Sequence, residues 1–109
     1  MSRGMEPEVI DVAKDFTRYP AGRYRDDGPY SGQRFREDLL VPVLEKFGRA
    51  TVVLDGTMGY GSSFLEEVFG GLRRDNRFAT ADLRAMIKLI SKDTSLIGEI
   101  GEYMDPRLA

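Results

Sequence analysis

The residues best placed to do chemistry lie in one run, Leu54-Asp55-Gly56-Thr57-Met58-Gly59-Tyr60-Gly61-Ser62-Ser63-Phe64. It reads as the end of a strand, a glycine-rich turn and the start of a helix. A helix N-terminus offers free backbone N–H groups and the positive end of the dipole, and glycine lets backbone approach an anion closely. Ser62 and Ser63 add two adjacent hydroxyls, able to cap the helix, bind a phosphate or receive one. Ser63 and Glu66 have capping-box spacing. Asp55 ends the strand, where α/β proteins place ligand groups; it fits a base, a metal ligand or a surface carboxylate. Nucleotide signatures fit poorly. A phosphate-binding loop of the Walker type needs Lys after its last glycine, and Ser62 follows Gly61. A dinucleotide fingerprint begun at Gly59 needs Gly at position 64, which is Phe64.

A second candidate is the window from Arg18 to Arg36. It holds Arg18, Arg23, Arg25, Arg34 and Arg36 against Asp26 and Asp27, a local net of +3, with Tyr19, Tyr24 and Tyr30 interleaved. Arginine with aromatics suits single-stranded nucleic acid, a phosphate or partner carboxylates, and equally an ion-paired loop. The whole chain is acidic, with 16 Lys plus Arg against 18 Asp plus Glu, which disfavours nucleic acid.

Composition narrows the chemistry further. With no Cys and no His among 109 residues, disulfides, thiolate catalysis, Ser-His-Asp triads and most transition-metal sites are excluded. No cofactor and no metal site is expected, and an enzyme would have to work with Asp55, Ser62 and Arg groups. Residues 1–8 are polar, without the apolar segment of a signal peptide, and no apolar run approaches the roughly 20 residues of a membrane span. These features predict a cytoplasmic protein without membrane association.

The elements that must position these residues follow from periodicity. The length predicts one domain, residues 8–109, after a loose tail at 1–7. Val9–Ala13 predicts a strand, and 15–31 a long loop with an optional strand around Gly22–Arg25. A helix starts near Ser31, with Phe35, Leu39, Val43 and Phe47 as its stripe, Leu40 and Leu44 alongside, and a kink or restart at Pro42. Thr51–Asp55 predicts a central strand. The next helix carries Phe64, Leu65, Val68, Phe69 and Leu72, with Gly70-Gly71 attributed to close packing on the sheet. Residues 81–91 fit a helix by spacing, or a strand at Ile87–Ser91. Asp93 or Thr94 caps a last helix with Leu96, Ile97, Ile100, Tyr103 and Met104 inward. Strands alternating with helices predict an α/β fold.

Four segments together resemble a known family: Pro20-Ala21-Gly22-Arg23-Tyr24, Asp27-Gly28-Pro29-Tyr30-Ser31-Gly32-Gln33-Arg34-Phe35-Arg36, Val53-Leu54-Asp55-Gly56, and 61–72 with its Ser-Ser-Phe-Leu-Glu-Glu start. They resemble the STAS-like domain family of unknown function, a set of small bacterial or phage proteins. The wider similarity is to STAS domains, including anti-anti-sigma factors. That resemblance implies a small mixed sheet of about four strands with helices packed on one face, and favours the strand at Ile87–Ser91. It also implies a phosphorylatable serine at a helix start, in an Asp-Ser-Ser-Gly motif. Ser62 matches the phosphoacceptor and Ser63 its neighbour, with Gly61 and Phe64 in place of the flanking Asp and Gly.

The expected function is a non-enzymatic regulatory protein–protein interaction module of signal transduction. By the same resemblance the partner is a histidine-kinase-like ATPase or other serine kinase, acting at Ser62 or Ser63. Asp55, Gly59, Gly61, Arg23, Arg25, Ser31, Arg34 and Arg36 are the candidate partner- or anion-binding residues. The alternatives are a nucleotide- or anion-binding module using the 59–63 turn, and a small hydrolase-like enzyme.

Overall fold

Short β-branched runs make the three strands of the computed structural model, which describes residues 8–108. The tail expected at 1–7 lies outside the described residues. Strand β1 is Val9–Asp11, β2 is Ala50–Val53 and β3 is Ile87–Ile90. They pair in parallel in the order β1-β2-β3, with Ile10 beside Val52 and Val52 beside Leu89. Ile10, Ala50, Val52 and Ile87 are buried on one face, whereas Thr51, Val53, Lys88 and Ile90 on the other are not. Each crossover steps one strand in the same direction, and right-handed crossovers then place their helices on one face.

The expected mixed sheet of about four strands is therefore, among the described residues, a parallel sheet of three. Two local features separate the structure from the expected strands. The first run stops at Asp11, whose carboxylate accepts from the Lys14 N–H at 3.2 Å and starts a π-turn over Val12–Phe16. The optional strand around 22–25 is a loop, because the Asp27 carboxylate takes the N–H groups of Arg23 and Tyr24, at 3.1 and 2.8 Å, that a ladder would need. A single 3₁₀ turn, Arg25–Asp27, follows.

Helix α1 spans 32–47, with α-turns at Gly32–Phe35 and Val41–Phe47 and a π-turn at Arg36–Leu40 between them. The π-turn is where Pro42 makes itself felt. Proline cannot donate to the carbonyl four residues back and its ring crowds that carbonyl; the wider turn just before it relieves both. The extra residue decides which part of the expected stripe faces inward: Phe35, Leu40 and Leu44 are buried, while Leu39, Val43 and Phe47 are only partly so. Helix α2 spans 62–73, again with a π-turn, at Glu66–Gly70, inside it. Phe64, Leu65, Val68, Phe69 and Leu72 are all buried, as expected. The ambiguous segment is both things in turn: α3 at Thr80–Met86 runs directly into β3. Helix α4 is Thr94–Met104, capped by Asp93, whose carboxylate accepts from the Leu96 N–H at 3.1 Å.

Gly71 packs against the Arg36 guanidinium and Gly70 against the Glu66 carboxylate, not against the sheet. A Cβ on Gly71 would collide with the Arg36 side chain, and one on Gly70 with Glu66 and Arg74. A Cβ on Gly32 would lie 2.6 Å from the Phe64 carbonyl oxygen, so α1 and α2 cross backbone to backbone there.

Candidate functional site

Parallel strands put all three C-terminal ends at one edge of the sheet, and the loops leaving them are tied together. Asp55, just beyond β2, accepts from the Ser91 hydroxyl at 3.3 Å and the Lys92 N–H at 3.1 Å beyond β3. The Met58 N–H donates to the Arg18 carbonyl at 2.8 Å, joining the 54–61 turn to the loop after β1. Tyr60 anchors the turn from below: its hydroxyl donates to the Leu54 carbonyl at 2.7 Å, and burial pushes its pKa up to about 12. Gly56 and Gly59 have φ of +98° and +122°, which permits the reversal into α2.

Gly61 is the N-cap of α2, and no side chain caps the helix there. Ser62 and Ser63 fall inside its first turn, both exposed. The expected Ser63–Glu66 capping box is absent because Gly61, not Ser63, is the N-cap, and Glu66 is held elsewhere. Its carboxylate takes Arg23 at 2.5 Å and Arg74 at 2.6 Å, and the Arg74 hydrogen bond chiefly holds its pKa below the usual carboxylate value.

The candidate arginines part company in space. Arg23 reaches α2, one turn from the serines, at Glu66 and, at 3.5 Å, Glu67. Arg36 also reaches α2: its Nε donates to the Glu67 carbonyl at 3.0 Å and its Nη2 to the Glu67 carboxylate at 2.7 Å. Arg25 turns back onto α1, to Asp38 at 2.7 Å and Glu37 at 3.1 Å, and lowers the Asp38 pKa. Arg34 donates to the Pro29 carbonyl and lies over the Phe16 and Tyr30 rings, each 5.6 Å from its Cζ. Phe16 in turn stacks edge-on against Tyr30 and Phe35, at 5.6 and 5.3 Å, which pins the long loop to α1. Ser31 is fully buried as the cap of α1, accepting from the Arg34 N–H at 3.2 Å. The structure thus keeps Gly59, Gly61, Ser62 and Ser63 together on the turn into α2, with Arg23 one turn away on Glu66, whereas Asp55 holds the Ser91–Lys92 segment; Ser31, Arg25 and Arg34 belong to the packing of the loop and α1, and Arg36 joins α1 to α2.

Sequence reading missed the two acids of α2 as the organisers of this charge. Their signal was the run Glu66-Glu67 four residues before Gly70-Gly71: the Glu66 carboxylate lies over Gly70, and the Arg36 guanidinium that pairs with Glu67 lies over Gly71. It also passed over Met58, 73% exposed, which lies beside the 63%-exposed Tyr19 through the Met58–Arg18 hydrogen bond. Two concavities, of about 140 and 290 Å³, lie elsewhere, and neither is lined by residues of the 59–63 turn. Among the described residues no helix is long and apolar enough to cross a membrane, and no three Asp or Glu side chains group to hold a metal ion.

No curated protein and no solved structure matches the chain. One family model does: residues 31–95, which include the start of α1, the 54–61 turn, the serines and both acids of α2, match the STAS-like domain of unknown function (DUF4325). The match covers more than half of the chain, and the protein belongs to this STAS-like family.

Proposed function

We propose that this domain is a non-enzymatic regulatory module that docks onto a protein partner, with the Ser62–Ser63 pair as a phosphorylation switch. The partner is a histidine-kinase-like ATPase with serine-kinase activity, acting in cytoplasmic bacterial signalling. One observation carries the reading: two exposed hydroxyls stand on the first turn of α2, behind a cap that supplies no side chain. A kinase needs an accessible hydroxyl, and a phosphate placed there meets free N–H groups and the favourable end of the dipole.

The surroundings favour docking over catalysis. Tyr19 and Met58 expose large apolar side chains on the neighbouring loops, the kind of residue that anchors protein interfaces. The chain has no His or Cys to serve as base or nucleophile. Incubating the protein with the ATPase and ATP, then mapping phosphate by mass spectrometry, tests the reading. Complex formation and a phosphate on Ser62 or Ser63 are expected; no complex and no modification would sink it.

The 59–63 turn also supports a second reading, a nucleotide- or anion-binding loop, because Gly59 has a positive φ and the space beside Gly61 is open. A nucleotide-dependent thermal shift that Ser62→Ala abolishes, in the absence of any partner, selects this reading over the first.

A further inference from the structure

Three guanidiniums meet two adjacent carboxylates on α2. Arg74 is bonded to Glu66 at 2.6 Å and Arg36 to Glu67 at 2.7 Å, while Arg23 is shared between them, at 2.5 Å from Glu66 and 3.5 Å from Glu67. Arg23 can leave with both acids still paired, Glu66 with Arg74 and Glu67 with Arg36. It is also carried by the long loop, whose backbone is closed on itself by Gly32 N–H to Gly22 carbonyl and Gln33 N–H to Arg23 carbonyl bonds of 3.0 and 2.9 Å.

Helix geometry then separates the two serines. Residues three and four apart are neighbours on a helix face. Ser63 is three before Glu66 and four before Glu67, so it faces both acids that hold Arg23. Ser62 is four before Glu66 and five before Glu67, and faces only one. We propose that a phosphate on Ser63 takes Arg23 away from Glu66 and Glu67, drawing residues 22–30 of the loop toward the start of α2.

This rests on the phosphorylation reading above. Transfer of the γ-phosphoryl group of ATP to the Ser63 Oγ forms the new O–P bond, breaks the bond to the β-phosphate oxygen, and releases ADP and the hydroxyl proton. The product carries roughly −1.5 to −2 charge and three acceptor oxygens. A guanidinium binds such a group through two parallel hydrogen bonds, which outcompetes one shared carboxylate. Repulsion from Glu66 and Glu67 opposes the move, but Arg74 and Arg36 keep both acids neutralised. Tyr24, whose ring lies 6.0 Å from the Arg23 Cζ, travels with it on the loop.

The test installs phosphoserine at position 63 of the full chain by translation, so that no kinase is needed, and titrates it by phosphorus NMR. Arg23 capture predicts a second phosphate pKa below the ordinary value of about 6. Arg23→Gln returns it to about 6 or above, Arg23→Lys gives an intermediate value, and Glu66→Gln lowers it further. Phosphoserine at position 62 titrates closer to about 6 and responds less to Arg23→Gln. A phosphate at 63 that titrates at or above about 6 in the otherwise unchanged chain, or that ignores Arg23→Gln, overturns the proposal. The result does not depend on any ATPase, so failure of a kinase to modify the chain counts against the proposed function alone.

Discussion

Arg36 donates to both the carbonyl and the carboxylate of Glu67, at 3.0 and 2.7 Å, and its guanidinium occupies the space a side chain on Gly71 would take. The pair is shielded, with side chains 13% and 8% exposed, and it joins α1 to α2 directly below the Arg23 contact.

Glycine at position 71 is therefore required by space. Gly71→Ala is expected to lower stability by about 1–3 kcal/mol, the usual cost of overpacking. Gly98→Ala is its control: that position lies in α4, is exposed and has open space around the missing Cβ. There the same change is expected to raise stability by about 0.5–1 kcal/mol. Urea denaturation of both variants measures the difference; equal effects would contradict the packing account.

Removing one member of the Arg36–Glu67 pair leaves a shielded charge without its partner. Glu67→Leu is expected to cost about 3 kcal/mol or more. Adding Arg36→Met to it is expected to recover a large part of that loss, since no charge is then left unpaired. A double-mutant cycle by chemical denaturation reads this coupling, and additive losses would refute it.

Acid should loosen the same region. The Arg74 hydrogen bond, with burial opposing and Arg23 assisting, holds Glu66 below its ordinary 4.5. A carboxylate with a depressed folded pKa contributes its stability above the unfolded value and loses it as pH falls through the folded one. Asp38 and Asp75, lowered chiefly by Arg25 and Arg77, act in the same sense. The urea midpoint is expected to hold above about pH 5 and to fall below about pH 4.5, less steeply in Glu66→Gln. An identical slope in that variant would show that Glu66 gains nothing from its arginines.

Tyr60 gives the turn its footing. Tyr60→Phe removes the donor to the Leu54 carbonyl and is expected to cost about 1 kcal/mol. Hydrogen exchange should accelerate at Met58 and Gly59, whose N–H groups are bonded within this loop system.

Much of the fold was legible because α2 and α4 repeat apolar residues at helical spacing and the strands are short β-branched runs. Phe64, Leu65, Val68, Phe69 and Leu72 were readable one by one as core. In α1 the spacing offers Leu39, Val43 and Phe47 with Leu40 and Leu44 alongside, and the π-turn's extra residue buries Leu40 and Leu44 more deeply, a preference that apolar spacing alone does not reveal. Within the site, the turn and the exposed serines followed from local sequence. The fate of the arginines did not, because their counter-charges come from distant positions: Glu37 and Asp38 lie 12 and 13 residues from Arg25, and Glu66 lies 43 from Arg23. A window of +3 charge looks like a binding surface until the acids of another helix fold onto it.

The account turns on whether the start of α2 is modified and whether that controls docking. The direct measurement is phosphate mapping by mass spectrometry after incubation with the serine-kinase-type ATPase and ATP, with complex formation followed on the same samples. The account predicts a phosphate on Ser62 or Ser63, lost in the Ser62→Ala/Ser63→Ala double variant, and a complex that weakens as it accumulates. Phosphate found only at other residues, or a complex indifferent to it, would contradict the account.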